Sequence, residues 1–306
     1  MWSYSLRRLL ATIPTLLAVI TVCYVLVHAA PGGPFDSERV VSQAVLANLQ
    51  AKYHLDRPVW QQYLYYLNNL LHGDLGASFR YADWSVNDLV AAALPVSLTI
   101  GGVSLALSFV LGVGLGIAAA LRHNTAADYG VMLVGNLGSV FPSFVIGPVL
   151  VLVFAIGLKW LPAGGWDDFS PRFMVLPVAL LTFINVATIA RVMRGSLIEV
   201  LHSNFIRTAR AKGLPTRLVV LRHALKPALL PVISVLGPLA ISSITAALVT
   251  ETIFSLPGLG KLIVNGAGNR DYTLVLGLVV LITVIAVTLN LLVDLAYAAL
   301  DPKIRY

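Results

Sequence analysis

The chain has 306 residues, 58% of them hydrophobic and only 11% charged, and its mean hydropathy is +0.85. Soluble domains carry about 25% charged residues, so this balance excludes a soluble enzyme or a soluble binding domain and predicts an all-α protein that crosses a membrane several times. The net charge of +7 is read in that setting as Lys and Arg gathered in loops on one side of a bilayer, not as a nucleic-acid surface.

The first predicted element is 9–29, which follows Arg7 and Arg8. At about 1.5 Å per residue it reaches roughly 31 Å, too long for the apolar core of a cleaved signal and long enough to cross hydrocarbon. It is read as an uncleaved membrane helix, making 1–30 the amino-terminal unit. Cys23 within it is the sole cysteine, so an intrachain disulfide and a cysteine metal cluster are both excluded.

Residues 31–95 are too long and too polar for a simple connector. "AVLANLQAKYHL" and "VWQQYLYYLNNLL" have helical spacing, with Asp56 and Pro58 marking a helix start between them. A small helical subdomain is expected on the outer side, either as a cap on the spans or as a docking surface. The core domain, 96–306, is then read as five more spans at 96–121, 129–158, 173–193, 229–254 and 273–300. The span at 129–158 contains Pro142 and Pro148 and is expected to kink. In the span at 96–121, Gly112 and Gly116 form G-x-x-x-G, which allows close helix contact within the chain or against another subunit.

Orientation follows from Lys and Arg. With both termini inside, the inside holds Arg7, Arg8, Arg122, Arg191, Arg194, Lys303, Arg305 and the cations of one unusual stretch, "FIRTARAKGLPTRLVVLRHALKP". The outside holds fewer cations, several of them in one long segment that counts for little in the positive-inside rule. The unusual stretch, 205–227, carries Arg207, Arg210, Lys212, Arg217, Arg222 and Lys226 with no acidic residue. Placing six such cations in hydrocarbon would cost at least roughly 15 kcal/mol, so it is assigned to the cytoplasm. From 195 to 228 the connection is far longer than the usual 2–8 residues, about 34, and must have structure of its own. Ser203 or Asn204 can cap a short helix in which Phe205 and Ala209 share a face, with Ile206 and Arg210 beside them. Gly213, followed by Leu214, stands where a left-handed C-cap is expected, and Pro215 prevents continuation. Thr216 can cap a second helix, "RLVVLRHAL". Three uses are open for this helix–turn–helix: a topology signal, a surface for anionic lipid, or a docking knob for a cytoplasmic protein.

The loop at 255–271 is rich in glycine. It contains Leu256, Pro257, Gly258, Leu259 and Gly260, and is expected to be either a flexible connector or a plug-like element at the outer mouth that meets a soluble binding protein. "PGLGKL" within it is not a Walker A, because Ser255 stands at the first glycine position and Leu262 follows Lys261. Ionisable residues within spans are rare and each is a site candidate. Glu251 closes the fifth span. Asp294 lies four residues after Asn290 on the sixth, forming a candidate intramembrane polar pair, with Arg191 or Arg194 as further partners for Asp294. The six histidines form no H-E-x-x-H or other metal spacing, G-x-S-x-G is absent, and no catalytic constellation appears. Self-sufficient secondary transport is the competing class, but the spans carry no chain of carboxylates of the kind proton coupling uses.

The hairpin resembles the EAA loop of ABC-importer membrane subunits, E-A-A, three residues, Gly, nine residues, I-x-L-P. Gly213 takes the glycine position and Arg207-Thr208-Ala209 stands at E-A-A. His223-Ala224-Leu225-Lys226 stands at I-x-L-P, with the proline one later at Pro227. The resemblance runs through "RRLLATIPTLL", "HLDRPVWQQYLYYL", "GDLGASF", "ETIFSLPGLGKLIVNGAGNRDY" and "DPKIRY". In these stretches the chain is similar to the B-type permease subunits of oligopeptide ABC importers, proteins of the bacterial inner membrane. Dipeptide, murein-peptide and nickel-chelate importers use similar subunits. The resemblance implies a type I importer transmembrane fold and alternating access. It implies a C-type second permease, two cytoplasmic ATPases that bind ATP and Mg, and an extracytoplasmic peptide-binding protein, with no cofactor in this chain. Phe205, Ile206, Arg207, Ala209, Arg210, Lys212, Gly213, Leu214 and Pro215 would form the ATPase-coupling loop. No salt bridge through the missing glutamate is implied.

Overall fold

A computed structural model describes residues 2–29, 56–81 and 83–300. The expected helix "AVLANLQAKYHL" and the C-terminal cations Lys303 and Arg305 lie outside the described residues.

Helix α1, Trp2–Ala29, is followed by α2, Val59–Leu71, which starts directly after Pro58 as its sequence predicts. Helix α3, Val86–Leu121, has 36 residues and begins ten earlier than expected. Its start is set by a capping box. Ser85 Oγ accepts from Asp88 N at 3.1 Å and Asp88 Oδ2 accepts from Ser85 N at 3.1 Å, while Pro95 is carried inside the helix. At 1.5 Å per residue α3 is about 54 Å long, well beyond a hydrocarbon core.

The expected kinked span at 129–158 is a broken one. Helix α4, Ala126–Val140, ends at Phe141 and Pro142, both extended, and α5, Ser143–Leu150, then widens into a π-helical turn, Val151–Gly157. Helix α6, Pro171–Leu201, has proline at its first position, where the missing N–H is not needed, and runs two turns past its expected end. A short helix α7, Asn204–Ala211, leads to α8, Thr216–Leu218. A π-helical stretch, Val219–Ala224, joins α8 to α9, Leu225–Ile253. Finally α10, Leu259–Gly268, precedes α11, Tyr272–Leu300.

Among the described residues five helices are long and apolar enough to cross a membrane: Thr12–Ala29, Val86–Leu121, Pro171–Leu201, Thr216–Ile253 and Tyr272–Val293. Two shorter apolar helices, Ala126–Gly135 and Ser143–Gly157, make up the broken segment. The α3–α6 pair is central. Helices α4, α5 and α9 all pack on α6, α9 also meeting α5, and α11 contacts both α9 and α1. The bundle has a hairpin end, which carries α7, and a far end, which carries α2 and α10.

The α3–α6 contact follows from residue size. Ile100, Ser104, Ser108, Gly112 and Gly116 recur every fourth residue on α3 and are all buried. The serine hydroxyls donate to their own helix, Ser104 to Ile100 O and Ser108 to Ser104 O, both at 2.6 Å, so each is satisfied without a bulky partner. A Cβ on Gly112 would sit 2.6 Å from Ile189 Cγ2, and one on Gly116 would sit 2.7 Å from Ala190 O. The G-x-x-x-G face is therefore used within the chain, where the two backbones approach too closely for any side chain. Gly116→Val is expected to lower the thermal transition of the purified protein, with a cost of about 1–3 kcal/mol from overpacking. Gly114→Val, where an added Cβ meets nothing within 4 Å, is expected to leave that transition in place.

Candidate functional site

Helix α7 ends in the motif its glycine foretells. Gly213 has φ +77°, its N–H donates to Arg210 O at 2.9 Å, and Leu214 N donates to Ala209 O at 3.4 Å. This is the Schellman pattern, and it turns the chain sharply towards Pro215. Two expected caps fall differently. Ser203 holds the N-cap position, but its hydroxyl donates back to Val200 O at 2.6 Å. Thr216 is the first helical residue of α8, with Pro215 in the cap position.

The expected face of α7 is also corrected. Ile206 and Ala209 turn inward and join Met193 and Leu197 of α6, Val219 and Ala224 of the π stretch, and the half-buried Leu214. Phe205, expected to share a face with Ala209, is instead 51% exposed, while Ile206 is fully buried. Residues 205 and 206 are both apolar neighbours about 100° apart on the helix, so local spacing could not choose between them. The free surface of α7 and its turn is Asn204, Phe205, Arg207, Thr208, Arg210, Ala211, Lys212, Gly213 and Pro215. It amounts to one aromatic side chain set among cations on a rigidly anchored helix.

Just above, at the same end, Arg194 of α6 grips Asp128 in the first turn of α4. Nε reaches Oδ1 at 2.5 Å and Nη2 reaches Oδ2 at 2.7 Å. Asn124 N also donates to Oδ2 at 3.0 Å, and His123 Nδ1 lies 3.4 Å from it. Asp128 is buried and Arg194 part-exposed. Arg194 thus has Asp128 as a bidentate partner, which sequence reading missed although it stands three residues after Thr125, where an acid favours a helix start; the expected pairing of Asp294 with Arg191 or Arg194 falls on a side chain outside the described residues. Asn290 faces α9, with Oδ1 2.8 Å from the place a Cβ on Gly237 would take. The side chain of Asp294 lies outside the described residues.

At the far end the glycine-rich loop is a packed turn followed by a helix. Leu256, Gly258, Leu259 and Gly260 are buried, and Pro257 is exposed. The N-cap of α10 is Gly258, which has no side chain to offer. Glu251, at the end of α9, supplies the missing acceptor. Its Oε2 takes Gly260 N at 2.6 Å and Lys261 N at 3.3 Å, and its Oε1 takes Ser97 Oγ at 2.6 Å. Ser97 Oγ in turn accepts from Leu259 N at 2.9 Å. A Cβ on Gly258 would collide with the Glu251 carboxylate, so glycine is needed for the close approach. Asp271 plays the matching part for α11. It accepts from Leu274 N and Phe79 N, both at 3.2 Å, and from Ser78 Oγ, tying "GDLGASF" to α11.

Between these two ends an apolar groove of about 120 Å³ is lined by Leu98, Gly101, Gly102 and Leu105 of α3, Ile244 and Ala247 of α9, and Ile282, Ile285 and Leu289 of α11, with Ser97 and Glu251 at its head. No group of three or more His, Cys, Asp or Glu able to hold a metal occurs among the described residues.

Two outcomes follow from these contacts. Glu251→Ala strands the N–H groups of Gly260 and Lys261 and is expected to destabilise the protein by about 2–4 kcal/mol, read as a lowered thermal transition, with Glu251→Gln milder. Asp128→Ala leaves the part-exposed Arg194 guanidinium without its carboxylate, with His123 Nδ1 still 3.1 Å from Nη2, and is expected to cost about 2–3 kcal/mol. The double exchange Asp128→Arg with Arg194→Asp should recover part of that loss in the same melt.

Comparison with known proteins gives the site its setting. Residues 112–306 match the model of the binding-protein-dependent transport system inner membrane component, and residues 1–100 match the model of its N-terminal part. The chain is 54% identical over 306 residues to the oligopeptide transport system permease protein OppB of Salmonella typhimurium, covering all of both chains. It is 55% identical over 306 residues to OppB of Haemophilus influenzae, again over both full lengths. The dipeptide transport system permease protein DppB of Bacillus subtilis is 42% identical over 302 residues, 99% of this chain and 97% of that one. Among solved structures, the inward-facing MetNI methionine ABC transporter matches 70% of this chain and 96% of its own, with TM-score 0.61 at 17% identity. An amino acid ABC transporter with histidines matches 70% of this chain and 94% of its own, with TM-score 0.54 at 13% identity. The α3–α6 core, the anchored hairpin and the full-length matches together make this chain a member of the binding-protein-dependent transport system inner membrane component family.

Proposed function

We propose that the chain is one of two permease subunits of an ATP-driven importer of oligopeptides, working by alternating access. The observation that carries this reading is the hairpin: a cation-bearing helix whose inner face is locked into the bundle and whose outer face is left for a partner. In this reading the broken α4–α5 segment counts as one of six spans, and the positive-inside rule favours a cytoplasmic position for both termini and for the hairpin, where its cations avoid hydrocarbon. A cytoplasmic ATPase that binds ATP and Mg docks against Phe205, Arg207, Arg210 and Lys212. A second, C-type permease completes the pathway, and an extracytoplasmic binding protein delivers peptide at the far end, near Pro257. This chain holds no cofactor.

The mechanical logic follows from the connections. Movement of α7 is passed through Ile206, Ala209 and Leu214 to α6 and to the rod Thr216–Ile253. That rod is about 57 Å long at helical rise and ends at Glu251, which grips α10. Displacement at the hairpin end is thereby carried to the far end, and the groove beside α9 changes its access. The groove walls are apolar, which suits a path that takes many side chains without choosing among them.

Cells lacking the chain are expected to lose uptake of a labelled pentapeptide, restored by wild type and not by Gly213→Glu, although that variant inserts in the membrane at normal levels. Gly213→Asn, which tolerates positive φ, is expected to restore uptake, separating a blocked docking surface from backbone strain. Labelled dipeptide and tripeptide run in parallel decide between an oligopeptide and a dipeptide importer. Full uptake through Gly213→Glu would overturn the coupling role.

A further inference from the structure

A second cavity, about 250 Å³, opens at the far end among α1, α2, the 74–79 segment and the start of α11, and shares no lining residue with the apolar groove. Its wall is aromatic: Tyr24, Tyr65, Tyr66, Phe79 and Tyr272, with His28 among them. Most of these rings form a continuous series. Tyr66 lies 6.1 Å from Tyr24, Tyr24 lies 4.1 Å from His28, His28 lies 5.9 Å from Tyr272, and Tyr272 lies 6.5 Å from Phe79, between ring centres.

The polar part of the wall is Gln62, Asn69 and Asp74. Among the described lining residues Asp74 alone carries a full formal charge, and neither Lys nor Arg is present. Asp74 is held in place, because Oδ1 accepts from Gly76 N at 2.8 Å and its own N–H donates to Asn69 O at 3.0 Å. The turn that presents it depends on Gly76, with φ +94° and space for a Cβ closed by Thr273 Cγ2 at 2.6 Å. Tyr66 Oη is buried with no hydrogen-bond partner among the described residues, an unusual state for a hydroxyl that can donate and accept. Burial, with Cys23 and Tyr24 nearby, raises its pKa well above that of a free tyrosine, so it stays protonated.

We propose that this cavity is a binding site for a primary alkylammonium group. Ring faces carry the negative lobe of the aromatic quadrupole and attract a cation within about 6 Å, and Asp74 supplies the counter-charge. An anion would meet both the ring faces and the carboxylate and be repelled. A purely apolar guest would strip water from the exposed carboxylate of Asp74 without replacing it. Two molecules carry this group to the far end of such a protein: a lipid with an ethanolamine head, and a peptide with a free amino terminus. With lipid as its source the site stands apart from the import reading, since neither the hairpin nor the groove enters it; with peptide as its source it rests on that reading.

The test uses the chain in its assembled complex, reconstituted in nanodiscs of mixed phosphatidylethanolamine and phosphatidylglycerol, with retained lipids counted by native mass spectrometry. Wild type is expected to retain phosphatidylethanolamine over phosphatidylglycerol by about fivefold or more. Asp74→Asn keeps the acceptor for Gly76 N and removes the charge, and Phe79→Leu removes one ring; either is expected to abolish the preference. A second arm uses phosphatidylglycerol-only discs and a labelled tripeptide, with its amino terminus free or acetylated. Preferential binding of the free form, lost in Asp74→Asn, upholds the ammonium site with peptide as its source. Thermal melts check that each variant is folded, and Phe79→Leu decides if Asp74→Asn is not. Equal retention of both lipids together with no preference for the free amino terminus overturns the proposal. A preference untouched in the folded variants overturns it as well.

Discussion

The close approach of α3 and α6 is the constraint on which the rest of the bundle rests. In hydrocarbon, lipid tails are as apolar as leucine, so helices gain little by hiding apolar surface from one another, and contact comes from dispersion, fit and interhelical hydrogen bonds. The stripe Ile100, Ser104, Ser108, Gly112, Gly116 supplies that fit by lacking bulk. Its serines fold their hydroxyls onto their own backbone and share them with α6, Ser104 with Val178 O at 3.5 Å and Ser108 with Thr182 O at 3.4 Å. Helix α6 then becomes the common partner of α4, α5, α7 and α9.

Charge is handled by a second rule. The buried carboxylates of the described chain are placed at helix ends and fully bonded there. Asp128 meets the N-terminal turn of α4 and a bidentate arginine. Glu251 meets the N-terminus of α10, and Asp271 that of α11. Glu251 and Asp271 satisfy N–H groups that a helix cannot satisfy for itself, Asp128 takes the N–H of Asn124 just before α4, and each ties together elements distant in the sequence. Ser97 and Glu251 are 154 residues apart, and Ser78 and Asp271 are 193 apart. These bonds cross-link elements at both ends of the bundle.

Function as a conduit needs continuity between those ends. The Thr216–Ile253 rod offers it, starting beside the hairpin and ending at the Glu251 clasp. Its π-helical stretch and internal Pro231 and Pro238 interrupt the regular hydrogen-bond ladder. Such interruptions are where a long helix bends, and here they lie between the hairpin and the groove.

Features governed by neighbours in the chain were legible in the sequence. The turn at Gly213 was, because only a left-handed residue permits the Schellman bonds that follow. The membrane class, the start of α2 after Pro58 and the closeness implied by Gly112 and Gly116 were legible for the same reason. The tertiary structure alone decided which of Phe205 and Ile206 faces inward, since both fit the same helix and only α6 distinguishes them. It alone matched Arg194 with Asp128 and Glu251 with α10, because a carboxylate's partner is chosen by proximity across the bundle, and sequence spacing holds no record of distances between helices that meet only after folding.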